Sequence, residues 1–161
     1  MKKGALTLMT LILLSIGGQQ AGAHCQIPCG IYNDELRVKL IAEDITTIEK
    51  SMNQIIELTK ASPLNYNQIV RWVNNKDEHA DKIQHIVTRY FMTQRIKLVD
   101  PNDAAKQKKY LERLSLLHEL LVYAMKAKQT TDLQYIQKLR DTLKKFETAY
   151  FGPDHKPHEH H

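Results

Sequence analysis

The sequence predicts an all-α protein folded as an antiparallel up-down-up-down four-helix bundle. After the first 32 residues, four segments carry apolar side chains spaced by three and four positions, and almost no stretch shows the alternation of a strand. Short polar or proline-containing connections separate these segments. Four amphipathic helices of similar length bury their apolar faces best against one another, so we assign residues 33–152 to one bundle.

The first two helices are predicted by caps and stripes. Asn33 is a plausible N-cap of the first helix, Ser62-Pro63 stops it, and the second helix follows Asn65. The predicted stripe of the first helix is Val38, Ile41, Ile45, Ile48, Met52 and Ile55. The predicted stripe of the second is Ile69, Val73, Ala80, Ile83, Val87 and Tyr90, flanked by Trp72 and Phe91.

The last two helices follow the same logic. Asn102 or Asp100 can cap the third helix, Asp132 and the two threonines before it can cap the fourth, and Gly152-Pro153 ends the fourth. The predicted stripe of the third is Leu111, Leu114, Leu117, Leu121 and Met125, and that of the fourth is Ile136, Leu139, Leu143, Phe146 and Tyr150. Further apolar residues on the third helix, Leu116, Leu120, Val122 and Tyr123, indicate either a wider core or a second interface.

Residues 1–23 resemble an export signal. They combine a basic start at Lys2 and Lys3, a short apolar run and an Ala21-Gly22-Ala23 cleavage site, and the run is too short to span a membrane. We therefore expect a signal peptidase to release a mature protein of one domain, periplasmic or secreted and without a membrane segment. The formal charge of the whole chain is +5, and its basic residues alternate with acidic ones instead of forming a block. The sequence therefore lacks the pattern typical of nucleic-acid binding.

Residues 24–32, the hook, carry the chemistry. Once cleavage makes His24 terminal, its α-amine, the backbone amide of Cys25 and the Cys25 thiolate can close fused chelate rings around one metal ion. Cys29 can return to the same ion, because Pro28 bends the loop and Gly30 allows the backbone to pass close to the metal. Such planar nitrogen and sulfur coordination suits Ni(II) or Cu(II) better than tetrahedral zinc.

The pattern His-Cys-x-x-Pro-Cys-Gly-x-Tyr at a processed N-terminus, followed by four helices, resembles the nickel superoxide dismutase family. The resemblance implies one nickel ion per subunit, bound by His24, Cys25 and Cys29. The ion would alternate between Ni2+ and Ni3+, and the His24 imidazole would join its ligands when the nickel is oxidised. It implies disproportionation of superoxide to dioxygen and hydrogen peroxide by redox cycling of the nickel, and no organic cofactor. It also assigns to Tyr32 the ordering of water and small anions at the open axial face, and implies a homohexamer.

The sequence departs from some family members at Gln26, where they carry an acidic residue. The acidic and basic partners of the imidazole have no secure position, and Glu43, Lys76 and His79 are only candidates. Residues 153–161 hold four histidines in a polar, proline-containing tail that we expect to be disordered, although it could bind metal loosely and feed the site.

Two other functions fit part of the pattern. A non-catalytic periplasmic helical protein could use the hook and the tail to bind or buffer metal without turning over superoxide. A small exported interaction or chaperone-like bundle could instead join Cys25 and Cys29 in a disulfide, although so short a loop would constrain little of the unfolded chain.

Overall fold

A computed structural model of the chain describes residues 30–155. The predicted signal peptide, the hook up to Cys29 and the last six residues lie outside these described residues. From Ile31 onward the described chain belongs to one compact unit. Its helices are α1 (Asp34–Leu58), α2 (Tyr66–His85), π1 (Ile86–Arg95), α3 (Ala104–Gln129) and α4 (Gln134–Phe151), with π1 continuing α2 directly.

The helices form the predicted four-helix bundle. Each of them packs against the helices before and after it in the sequence, and α1 packs against α4 to close the ring. Arg95, at the end of π1, and Tyr150, near the end of α4, both donate hydrogen bonds to Asp34 at the start of α1. Two helices therefore end where α1 begins, which is the antiparallel arrangement that the sequence predicts.

The core confirms the predicted stripes of α1 and α4 and much of that of α2. Its fully buried side chains include Ile41, Ile45, Ile48, Met52, Ile83, Val87, Phe91, Leu139 and Phe146. The rings of Phe91 and Phe146 meet edge to face with centroids 5.0 Å apart. Burial of each such aliphatic or aromatic side chain contributes about 1.5–3 kcal/mol, so these contacts are the main stabilisation of the bundle.

The predicted stripe of α3 was partly wrong. Leu111 is 53% exposed and Met125 is 38% exposed, whereas Leu116, Leu120 and Ala124 lie in the core. Because leucines occur on more than one face of α3, the helical period alone does not single out the inward face. Leu116 and Leu120, two of the residues that had suggested a second interface, therefore belong to the bundle core.

The helix ends confirm most of the predicted signals. Asn33 and Asn65 cap α1 and α2 with their side-chain oxygens, and Gly152 ends α4 with φ of +106°. The prediction for α3 was wrong, because the cap is Asp103, whose Oδ1 accepts a hydrogen bond from Lys106 N at 3.0 Å. Asp100 instead binds the backbone N–H of Asn102 within the preceding turn. Of the described helices, none is long and apolar enough to cross a membrane.

Candidate functional site

Tyr32 marks the point at which the chain leaves the hook and joins the bundle. It lies two residues before α1 and is 39% exposed, while Ile31 beside it is 81% exposed. The Tyr90 ring meets the Tyr32 ring edge to face, with centroids 5.9 Å apart. The guanidinium carbon of Arg95 lies 4.3 Å from the centroid of the same ring, within the range of a cation–π contact. The ring of Tyr32 is therefore packed although its residue precedes the first helix.

Asp34 organises the side chains beneath Tyr32. Its Oδ1 accepts a hydrogen bond from the Tyr90 hydroxyl at 2.6 Å, and its Oδ2 accepts one from the Tyr150 hydroxyl at 2.8 Å. Arg95 donates from Nε to Oδ1 at 2.8 Å and from Nη2 to Oδ2 at 2.7 Å. One carboxylate thus joins α1, π1 and α4 through a bidentate arginine pair and two phenols, the geometry in which charged hydrogen bonds are strongest.

The electrostatics of this cluster follow from its geometry. Burial alone raises the pKa of Asp34, but the hydrogen bonds from Arg95, Tyr90 and Tyr150 outweigh it and hold that pKa below the ordinary value of 3.8. Burial and the neighbouring carboxylate raise the pKa of Tyr150 to about 12 and also raise that of Tyr90. At neutral pH the cluster therefore holds one carboxylate, one guanidinium and two neutral phenols.

The π-helical stretch π1 explains how Tyr90 and Arg95 reach the same carboxylate. Its backbone hydrogen bonds join residues five apart, as the Ile96 N–H does when it donates to the Phe91 carbonyl at 2.9 Å. Residues five apart in an ordinary α-helix point in different directions, but in a π-helix they share a face. The widened turns therefore aim both side chains at Asp34.

Two more arginines lie against the same aromatic cluster. The guanidinium carbon of Arg37 is 5.1 Å from the centroid of Tyr90, and that of Arg113 is 5.4 Å from the centroid of Tyr150. Arg113 Nε also donates to the Ala149 carbonyl at 2.9 Å, which secures the end of α4. Arg37 Nε is buried and has no acceptor within hydrogen-bond distance among the described residues. Three guanidinium groups, those of Arg37, Arg95 and Arg113, thus lie against the aromatic rings at this end of the bundle.

The start of the C-terminal tail packs at the same end. His155 stacks on the Phe151 ring with centroids 4.2 Å apart, and its Nε2 lies 3.2 Å from Glu35 Oε1. The predicted tail therefore begins with a histidine held against α1. The other three histidines of the tail, His158, His160 and His161, lie outside the described residues.

Of the predicted site residues, the structure describes Tyr32 and Gly30. His24, Cys25, Pro28 and Cys29 lie outside the described residues. Gly30 has φ of +74°, a left-handed conformation that favours glycine. Within residues 30–155, no group of three or more histidine, cysteine, aspartate or glutamate side chains is placed to hold a metal ion.

The candidate partners of the His24 imidazole have other structural roles. Lys76 is buried, and its Nζ donates to the carbonyls of Ala127 and Lys128, where it caps the C-terminal end of α3. His79 Nδ1 lies 2.7 Å from Asp44 Oδ1, and burial of Asp44 raises the pKa of that carboxyl despite the contact. Glu43 is exposed. The carbonyls that Lys76 binds are at the C-terminal end of α3, whereas Arg113, nearer the start of α3, lies beside the aromatic cluster. Lys76 is therefore at the opposite end of the bundle from Tyr32.

The cluster of Asp34, Tyr90, Tyr150 and Arg95 was missed by the sequence analysis. An aspartate directly after an N-cap is ordinarily explained by the helix dipole, which hides any further role. A usable signal was the phenol of Tyr90 on an otherwise apolar stripe, since a buried hydroxyl needs a partner.

The fold and this site define a small helical-bundle protein in which an aromatic and ionic cluster contacts the ring of Tyr32, just before the first helix. The sequence model of the nickel-containing superoxide dismutase family matches residues 19–154. The chain belongs to that family, which makes it a nickel-containing oxidoreductase that disproportionates superoxide. No curated protein and no solved structure matches the chain at a significant level.

Proposed function

We propose that nickel binds this chain through the hook, with nitrogen donors from His24 and Cys25 and thiolates from Cys25 and Cys29. One observation carries the proposal: Cys25 and Cys29 are the only cysteines of the chain and lie within the span matched by the family. Anionic sulfur together with nitrogen is the donor set that suits tetragonal Ni(II). Residues 30–155 offer no competing cluster of metal-binding side chains.

When bound, nickel supplies the one-electron exchange that converts two superoxide anions and two protons into dioxygen and hydrogen peroxide. The residue we assign to the catalytic surroundings is Tyr32. In this proposed role its hydroxyl orders water and positions a small anion, and it makes no hydrogen bond to any residue in the described part of the chain. Its ring is held by Tyr90 and Arg95, which supports a fixed position for that hydroxyl. A fixed donor orders water at a lower entropic cost than a mobile one.

Maturation and assembly belong to the same proposal. Cleavage after Ala23 by a signal peptidase would free the α-amine of His24 and deliver the protein to the periplasm or the exterior. Assembly as a homohexamer would use apolar surface that the isolated bundle leaves open. Leu111 and Met125 of α3 supply such surface, since both are exposed.

The test is mass spectrometry of the purified protein combined with nickel analysis and a superoxide assay. We expect a chain that begins at His24, carries one nickel per subunit and turns over superoxide. Cys25→Ser and Cys29→Ser should each abolish turnover, whereas His118→Ala, at an exposed position of α3, should not change it. Full activity in either serine variant, or in a chain with a residue before His24, contradicts the proposal. Nickel binding without turnover in the unmodified chain would instead indicate a metal buffer.

A further inference from the structure

We infer that Arg95, held by Asp34, is a positioning residue that fixes the ring of Tyr32 and thereby the site of its hydroxyl. This inference rests on the proposed role of Tyr32. It extends that role to two residues outside the hook, one on the first helix and one 61 positions later in the chain.

Within residues 30–155, no hydrogen bond fixes Tyr32 in place. It precedes the first helical residue, so no helical hydrogen bond of its own fixes its backbone, and the preceding Ile31 is largely exposed. Its hydroxyl binds no described residue. Two described groups contact its ring: the Tyr90 ring, at an interplanar angle of 75°, and the Arg95 guanidinium, whose carbon lies 4.3 Å from the ring centroid.

Arg95 can serve as such a support because it is itself fixed. Its Nε and Nη2 donate in parallel to both oxygens of Asp34, and this fork sets the plane of the guanidinium. Asp34 is fixed in turn by the hydroxyls of Tyr90 and Tyr150. Each side chain in this series is less exposed than the one it supports: 39% for the Tyr32 residue, 27% for the Arg95 side chain and 15% for that of Asp34.

Attraction of superoxide is a weaker explanation of this arrangement. The charges of Arg95 and Asp34 lie within 3 Å and cancel at any distance from which an anion would be steered. A cation kept for steering would stand apart from a carboxylate. The pair is instead suited to hold a planar group in one orientation.

The first measurement follows the Tyr32 ring by NMR in protein labelled at the tyrosine rings, purified with and without nickel. Tyr32→Phe assigns its signal, and we expect that signal in the parent protein to show the ring-current shift caused by Tyr90. Arg95→Gln and Arg95→Lys should both move it toward the value of a free tyrosine, because lysine keeps the charge but loses the planar fork. Arg140→Gln is the matched control, since Arg140 forms an equally bidentate pair with Glu49 elsewhere on the bundle.

The second measurement asks whether Arg95 acts through Tyr32. In nickel-loaded protein, Arg95→Lys should lower kcat/KM by roughly tenfold, as expected when a reacting group loses its position, with the nickel content unchanged. In the Tyr32→Phe background the same substitution should have an effect below about twofold, since the hydroxyl is already absent.

The outcomes separate this inference from the proposed function. An unmoved Tyr32 signal in folded Arg95→Lys protein, or an equal loss of activity in both backgrounds, overturns the inference. If the signal moves in the Arg95 variants alone and the parent protein shows no superoxide turnover, positioning by Arg95 is supported and the proposed function is wrong.

Discussion

The hydroxyl of Tyr150 donates a hydrogen bond to Asp34 Oδ2 at 2.8 Å, across 116 residues of sequence. This contact joins the last helix to the first. It also places the end of α4 beside the segment that leads into the hook. Part of the stability of the bundle therefore depends on the same carboxylate that orders the surroundings of Tyr32.

Removal of this hydroxyl should destabilise the protein. Tyr150→Phe keeps the ring packed against Phe146 but removes one donor from a charged, mostly buried acceptor, and we expect the free energy of unfolding to fall by about 1.5–3 kcal/mol. Urea unfolding measures the difference. Tyr123→Phe is the control, because the Tyr123 hydroxyl has no hydrogen-bond partner among the described residues; an equal loss in both variants would contradict this account.

Alkaline pH should act on the same contacts. The pKa of Tyr150 is about 12 in the folded protein against an ordinary 10, since burial and the charge of Asp34 disfavour the phenolate. The stability that results is fully present below pH 10 and is lost as the pH rises from 10 toward 12. Absorbance titration should show Tyr150 and Tyr90 ionising later than an ordinary tyrosine, and the Tyr150→Phe variant should lack the step near 12. Ionisation of all seven tyrosines near pH 10 in still-helical protein would refute this prediction.

Lys76 should matter for folding and not for nickel. Lys76→Met keeps most of the apolar stem but leaves the carbonyls of Ala127 and Lys128 without their buried donor, which should cost about 2 kcal/mol. Lys82→Met, on the same helix but at an exposed pair with Glu78, should change the free energy of unfolding far less, because water and salt screen exposed ion pairs. Nickel content should stay unchanged in both variants. A selective loss of nickel in the Lys76 variant would restore it as a partner of the metal site.

Gly30 should affect nickel binding more than it affects the bundle. A side chain at its φ of +74° is strained by about 1–2 kcal/mol, and no described atom lies within 4 Å of the added Cβ. Gly30→Ala should therefore weaken nickel binding by about fivefold to thirtyfold, with Gly30→Asn less affected, at nearly constant melting temperature. Gly152→Ala imposes similar strain at the end of α4 and is the control. It should lower stability and leave nickel affinity unchanged, and the reverse pattern would contradict the prediction.

Much of the fold could be predicted because helical burial is a local pattern. The stripe from Val38 to Ile55 and the caps at Asn33 and Asn65 follow from spacing and side-chain type alone, and the structure confirms them. The inward face of α3 could not be predicted, because the helix carries leucines on more than one face. Its packing against the neighbouring helices decides which of these leucines are buried. The cap at Asp103 was missed because three polar residues within four positions, Asp100, Asn102 and Asp103, could each serve.

The candidate site could likewise be predicted only in part. The donors of the hook all lie within residues 24–29, so their chemistry can be inferred from sequence, and their geometry stays a prediction. The partners of Tyr32 come from positions 90 and 95, and their meeting depends on the packing of separate helices. The periodicity of the sequence does not predict that π1 departs from the ordinary α-helical turn.

The wider turn of π1 allows the chain between Tyr90 and Arg95 to be shortened by one residue. Residues four apart share a face of an ordinary α-helix, as residues five apart do in π1. A sequence one residue shorter between Tyr90 and Arg95 could therefore keep both of them on Asp34 by reverting to the regular helix. The helix can absorb the loss of one amino acid here while both contacts to Asp34 persist.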